Sequence, residues 1–126
     1  MQIINNAPGA PAPVGPYSQA VEAGSLIFCS GQIGLDPQTG EFVSDSVEEQ
    51  TKQVLKNLDS VLAHAGSSME KLIMTTIFLA DISDGKVVNE IYASAVSSEN
   101  PPARQTVAVK DLPLGALVEI SVIAEK

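Results

Sequence analysis

Basic residues are scarce in this chain. Fifteen Asp and Glu stand against seven Lys and Arg, so the formal net charge is −8 and the pI about 4.4. Such a surface repels a polyphosphate backbone and an anionic membrane alike, which argues against nucleic-acid and membrane partners. Cysteine and histidine are scarcer still, with Cys29 and His64 the lone examples of each. One thiol makes no internal disulfide and, beside one imidazole, no zinc site. Cys29 lies in an apolar run between Phe28 and Ser30 and reads as a buried structural thiol. His64 has no catalytic partner in sequence and reads as structural or exposed. Also missing are GxGxxG, a phosphate loop, a serine elbow and any His/Cys cluster, so redox, phosphoryl-transfer and triad chemistries lack their parts. No cofactor and no metal is expected. Met1–Asn6 has neither a basic nor a long apolar segment, and no later run approaches a membrane span. A cytoplasmic protein of one domain over residues 1–126 is expected, its 44% hydrophobic content enough for a real core.

What is present follows a clear order. Residues 8–16 hold four prolines and two glycines and read as a loop without regular structure. Residues 17–22 and 26–32 are strand-like runs joined by Ala23-Gly24-Ser25, which suits a tight hairpin. Ser46-Val47-Glu48-Glu49 has capping-box spacing, the serine covering free amides and the glutamate reaching back. From there Val47, Thr51, Val54, Leu55, Leu58, Val61, Leu62 and Ala65 repeat at helical spacing, until Gly66 supplies a left-handed stop. A strand over 72–79 follows, then a helix over 84–97 capped by Ser83 or Asp84, then strands over 104–109 and 117–124. The order β-β-α-β-α-β-β predicts an α+β fold, a mixed sheet with two helices on one face. The strands 72–79 and 117–124 are apolar on both parities, so the face without helices needs a cover. Self-association into a closed homo-oligomer is the expected solution.

Arg104, the sole arginine, follows Pro101 and Pro102 at a strand entrance. Its planar fork suits bidentate grip of a carboxylate, although a surface ion pair is an equal alternative. Strand alternation puts Arg104, Thr106 and Ala108 on one side, and in the last strand Leu117, Glu119, Ser121 and Ile123 on one side. Glu119 either faces solvent at an edge or stands in a partly dry pocket, where burial would raise its pKa and a nearby Arg104 would lower it. Gly31 either ends its strand or keeps a side chain out of the path of an approaching group. If Arg104 and Glu119 line one pocket, the remaining chemistry is water addition to an electrophilic small acid.

Gly15-Pro16-Tyr17-Ser18-Gln19-Ala20, Ser30-Gly31-Gln32-Ile33-Gly34, Val88-Asn89-Glu90-Ile91-Tyr92, Pro102-Ala103-Arg104 and Val118-Glu119-Ile120 together resemble, nearly end to end and in order, the RidA/YjgF family of reactive-intermediate deaminases. The resemblance implies a chorismate-mutase-like fold and a homotrimer with sites between subunits. It implies hydrolysis of 2-aminoacrylate, 2-iminobutyrate and related enamine or imine acids to 2-keto acids and ammonia. By the matching motifs Arg104 would hold the substrate carboxylate and Glu119 would orient water and shuttle a proton. Tyr17 would close the pocket, Gly31 would offer backbone contact and Asn89 would order the site. Thr106 stands where many members have cysteine, so a thiol role does not transfer, while backbone contacts there survive. Gln105 and Ser121 also depart from the pattern, in place of a small residue and of a second glutamate. A non-catalytic module binding small carboxylates is the alternative, but it gains nothing from the negative charge of Glu119. An RNA-cleaving role, also attached to parts of the family, is opposed by the acidic charge.

Overall fold

The computed structural model describes residues 1–126. Its elements are β1 (Gln2–Ile4), β2 (Ala20–Ala23), β3 (Leu26–Gln32), α1 (Val47–His64), β4 (Leu72–Leu79), α2 (Gly85–Ala93), β5 (Ala103–Ala108) and β6 (Val118–Glu125). One mixed sheet of six strands runs β1-β2-β3-β6-β4-β5. All neighbours are antiparallel except β4 and β5, which are parallel and joined across α2.

Several expectations need correction. A strand, β1, precedes the predicted set and pairs with β2. Tyr17 lies in the proline loop, because β2 begins only at Ala20. The second helix spans Gly85–Ala93, after a short 3-10 turn over Ile82–Asp84, and does not reach Ser97. Neither Ser83 nor Asp84 caps it by a side chain; Asp81 caps the preceding turn by accepting from the Ser83 N–H at 2.9 Å.

Helix α1 forms as its sequence dictates, with one exception. Ser46 Oγ accepts from the Glu49 N–H at 3.1 Å, but Glu49 does not reach back. Its carboxylate turns to Lys52 at 3.3 Å, an exposed pair of small energetic value. Gly66, at φ +85°, supplies the left-handed stop. The inner stripe, with Val54, Leu58, Val61 and Leu62 at zero exposure, packs on β3 and β6. Each such side chain contributes about 1.5–3 kcal/mol on burial. At the hairpin, Ala23 pairs with Leu26, leaving a two-residue turn in which Gly24 takes φ +61°.

The two sheet faces differ sharply. On the helix side Ile27, Ile77, Leu79, Val118, Ile120 and Ala124 are wholly or almost wholly buried. On the other, register aligns Ile3, Val21, Phe28, Ile123 and Met74 into one apolar row crossing five strands. Ile3 is 57% and Phe28 41% exposed. Nothing within the chain covers this row. Cys29, on the helix side, is buried as expected, and burial pushes its thiol up to about 12. His64 is exposed.

Candidate active site

Arg104 lies on the edge strand β5, in register with Thr75 of β4, which is in turn in register with Val122 of β6. Thr75 and Val122 are both buried on the helix side, so the guanidinium emerges beside α2. Two residues of that helix hold it. Asn89 Oδ1 accepts a hydrogen bond from Nη1, and the guanidinium carbon lies 5.2 Å from the centre of the Tyr92 ring, within cation–π range. Asn89 and Tyr92 are three residues apart, so one helical face presents both. Tyr92 is fixed in turn, its ring buried and its hydroxyl donating to Thr75 Oγ1 at 2.9 Å. A cleft of about 460 Å³ opens here, with Pro101, Pro102 and Ser97 on its wall. The fork is thus oriented before any ligand arrives, and its free N–H groups suit a carboxylate.

Glu119 stands on the other face. It is in register with Phe78, whose β5 neighbour is Val107 rather than Arg104. Half-buried and without a cation beside it, its carboxyl is pushed above the ordinary carboxylate range by loss of solvation. Arg104 is not beside it within the chain, so burial alone sets the direction. Gly31 explains how the carboxylate fits: a Cβ there would fall 2.9 Å from both Cδ and Oε2 of Glu119. The glycine clears room for the Glu119 side chain itself.

A cavity of about 270 Å³ opens beside Glu119 and Gly31, bounded by Val14 and Tyr17, by Ile33, and by Leu114. Tyr17 curls over it, its N–H donating to Gly15 O at 2.8 Å and its hydroxyl accepting from the Val14 N–H at 3.4 Å. Gln19 anchors this loop from within. Its Oε1 accepts from the Ala7 N–H and its Nε2 donates to Pro11 O, each at 2.9 Å, while its own N–H donates to Asn5 Oδ1 at 2.8 Å. Helix α1 anchors the opposite wall. Gln50 Oε1 accepts from the Leu117 N–H at 2.9 Å, and Asn57 Nδ2 donates to the carbonyls of Ile33 and Leu35 at 3.3 and 3.0 Å.

The structure therefore gathers Tyr17, Gly31 and Glu119 in one cavity, and Asn89 and Arg104 in another, on opposite faces of the sheet. Within one chain Arg104 and Glu119 share no pocket. Thr106 lies in the Arg104 row, in register with Ile77, and lines neither cavity. Sequence reading missed Tyr92 as the arginine's platform, and missed Gln19, Gln50 and Asn57. The last two had a signal: polar residues seven apart on the apolar stripe of α1.

The family described as Endoribonuclease L-PSP matches residues 7–126. The chain is 53% identical over 115 residues to Reactive Intermediate Deaminase A, chloroplastic, of Arabidopsis thaliana, covering 91% of this chain and 61% of that one. It is 47% identical over 115 residues to the 2-iminobutanoate/2-iminopropanoate deaminase of Homo sapiens, covering 91% of this chain and 83% of that one. Among solved structures, YyfA of Yersinia pestis, of the conserved Rid protein family, superposes with a TM-score of 0.95 at 46% identity, over 99% of this chain and 98% of the other. The motifs, the sheet order and these likenesses agree, and the chain belongs to the RidA/YjgF family, the group matched as Endoribonuclease L-PSP.

Proposed function

We propose that this protein is a cofactor-independent hydrolase of small 2-imino and 2-enamino acids, 2-iminobutyrate and 2-aminoacrylate among them, giving 2-keto acids and ammonia in the cytoplasm. The observation that carries the reading is the pairing of a pre-oriented guanidinium with a desolvated, unpaired carboxylate on the two faces of one sheet. The names of the human and Arabidopsis relatives support the reaction class.

In this reading the uncovered apolar row is the contact between subunits of a homotrimer, and association brings Arg104 of one subunit toward the Glu119 cavity of the next. Arg104 holds the substrate carboxylate by its fork, kept in plane by Asn89 and Tyr92. Glu119 takes a proton from water as the water oxygen bonds to the imine carbon. That proton passes to nitrogen, giving a carbinolamine; Glu119 then takes the proton of its hydroxyl and returns it to nitrogen as the C–N bond breaks and the carbonyl forms, so one water is consumed and one ammonia released. An enamine first takes a proton at its terminal carbon and enters as the imine. Tyr17 closes the cavity, Gly31 and Thr106 offer backbone contact, and placement supplies most of the acceleration because the imine carbon is already electrophilic. A raised pKa suits Glu119 to both taking and returning a proton near neutral pH. Nothing in the geometry favours RNA cleavage: the net charge of −8 opposes a phosphate backbone.

The test is ammonia and keto-acid release from 2-iminobutyrate generated in situ, with wild type beside Arg104→Ala and the oligomer mass of each measured. Acceleration by wild type alone is expected. No acceleration by either, with the oligomer intact, would move the assignment to a small-carboxylate binding module.

A further inference from the structure

The loop between β5 and β6 carries a residue that the fold itself does not need. Leu114 adopts φ 57° and ψ 19°, the left-handed region that a side chain with a Cβ rarely occupies. Its neighbour Gly115, at φ +76°, occupies the same region without that difficulty. The loop is not loose. Gly115 and Ala116 donate to the Leu112 and Pro113 carbonyls at 3.2 and 3.0 Å, Ala116 is buried, and Leu117 is clamped by Gln50 on one side and by Ala80 on the other. Yet the Leu114 side chain is 72% exposed, so a disfavoured backbone presents an apolar group that packs into no core. Strain of this kind, held in place by surrounding structure, belongs at functional positions.

Leu114 is placed at the Glu119 cavity, together with Tyr17 and Val14. Gln19 and Gln32 line the cavity beside Glu119, and the rest of its wall includes the apolar Pro11, Val14, Ile33, Leu35 and Pro113. The polar groups of Gln19 are occupied with the Ala7 and Pro11 backbone and so are not free for a ligand. The cavity of one chain measures about 270 Å³ before any neighbouring subunit narrows it. A three-carbon imino acid whose carboxylate is held by Arg104 leaves one methyl group to fill that space. A single methyl group touches little of the apolar wall, whereas a longer or branched apolar side chain reaches it.

We infer that Leu114 is a specificity-determining residue, which with Val14 and Tyr17 forms an apolar wall selecting 2-imino acids with branched or longer apolar side chains over those with a methyl or a charged side chain. The inference rests on the deaminase reading and names the substrate class of that site. The left-handed backbone aims the side chain at the cavity mouth, and the anchored loop keeps it there.

The experiment compares wild type, Leu114→Gly and Leu114→Lys on imines released by an amino-acid oxidase from alanine, leucine and glutamate, reading kcat/KM for each. Glycine suits the left-handed backbone, so Leu114→Gly removes the wall without threatening the fold. The leucine-to-alanine ratio of kcat/KM is expected to fall about tenfold in Leu114→Gly, the scale of a lost apolar contact in a specificity pocket. In Leu114→Lys the glutamate-to-leucine ratio is expected to rise. An unchanged ratio, an equal loss on all three imines, or dissociation of the oligomer would overturn the inference and make Leu114 an ordinary surface or contact residue. If wild type accelerates none of the imines, the deaminase reading itself falls; if wild type is active and the ratios do not move, only the role of Leu114 does.

Discussion

On the helix-covered face, Arg104 is held by an acceptor and an aromatic ring from its own chain; on the open face, Glu119 stands half-dry with no cation beside it. A site folded within one chain could have set these charges against each other. They would then have neutralised one another, and the glutamate would have lost its raised pKa. Within one chain the sheet separates them, and in the proposed trimer Arg104 reaches the Glu119 cavity with its charge engaged by the substrate carboxylate. The arginine is prepared to receive a charge, and the glutamate is kept short of one.

Removing the braced cation tests this contrast most severely. Arg104→Ala is expected to lower kcat/KM for an imino acid by about 10³-fold or more, with the oligomer intact by mass measurement. Arg104→Lys should recover little, because a point charge reproduces neither the fork nor the stacking on Tyr92. Wild-type turnover in either variant would remove Arg104 from the site.

Glu119→Gln comes next, with hydrolysis expected to drop about 10²-fold or more while a 2-keto acid analogue still binds, as calorimetry would show. Its pH behaviour sharpens the comparison. Only the ionised carboxylate can take a proton from water, so the acid limb of kcat/KM should lie above the ordinary carboxylate range of about 4.3 and vanish in the variant. Stability follows the same sign. The folded state holds this proton more tightly than the unfolded chain, so the contribution is present below the ordinary carboxylate range and is lost as pH rises through the raised value. At neutral pH, Glu119→Gln should therefore melt no lower than wild type.

Smaller effects separate the supports. Gly31→Ala puts a methyl 2.9 Å from the Glu119 carboxyl and should cost about tenfold in turnover, with a loss of about 1–3 kcal/mol in stability by denaturant titration. Tyr92→Phe keeps the ring under Arg104 but deletes the hydrogen bond to Thr75. It should lose about 1 kcal/mol of stability and less than about twofold in activity. A large activity loss would mean that the hydroxyl, and not the ring, sets the arginine.

Much of this was legible in sequence because it is local. Ser46, the apolar stripe and Gly66 mark α1 by capping and periodicity alone. Alternation in β6 put Glu119 on the side opposite Val118, Ile120 and Val122, where the structure has it. β1 escaped because three residues carry no period, and its partner Ala20–Glu22 is distant in sequence. The separation of Arg104 from Glu119 escaped for a deeper reason. Alternation orders residues within a strand, but which parity of β5 joins which parity of β6 is set through β4, by one parallel and one antiparallel register. Buried Gln19 looks like a surface residue until the loop whose backbone groups it bonds is placed against it, and the position of Gln50 and Asn57 on the stripe of α1 marks them as buried without naming their partners.

The thiol of Cys29 bears on survival under the proposed chemistry. Imines of this class are electrophilic at carbon, and a protein that gathered them at one site would risk modification by its own substrate. Protein attack on such carbon is led by thiolates. Burial pushes the Cys29 thiol up to about 12, so thiolate is scarce at neutral pH, and the group is buried on the helix side of the sheet. Strand β5 carries no cysteine. Under the proposed reaction, inactivation through sulfur is therefore expected to be slow.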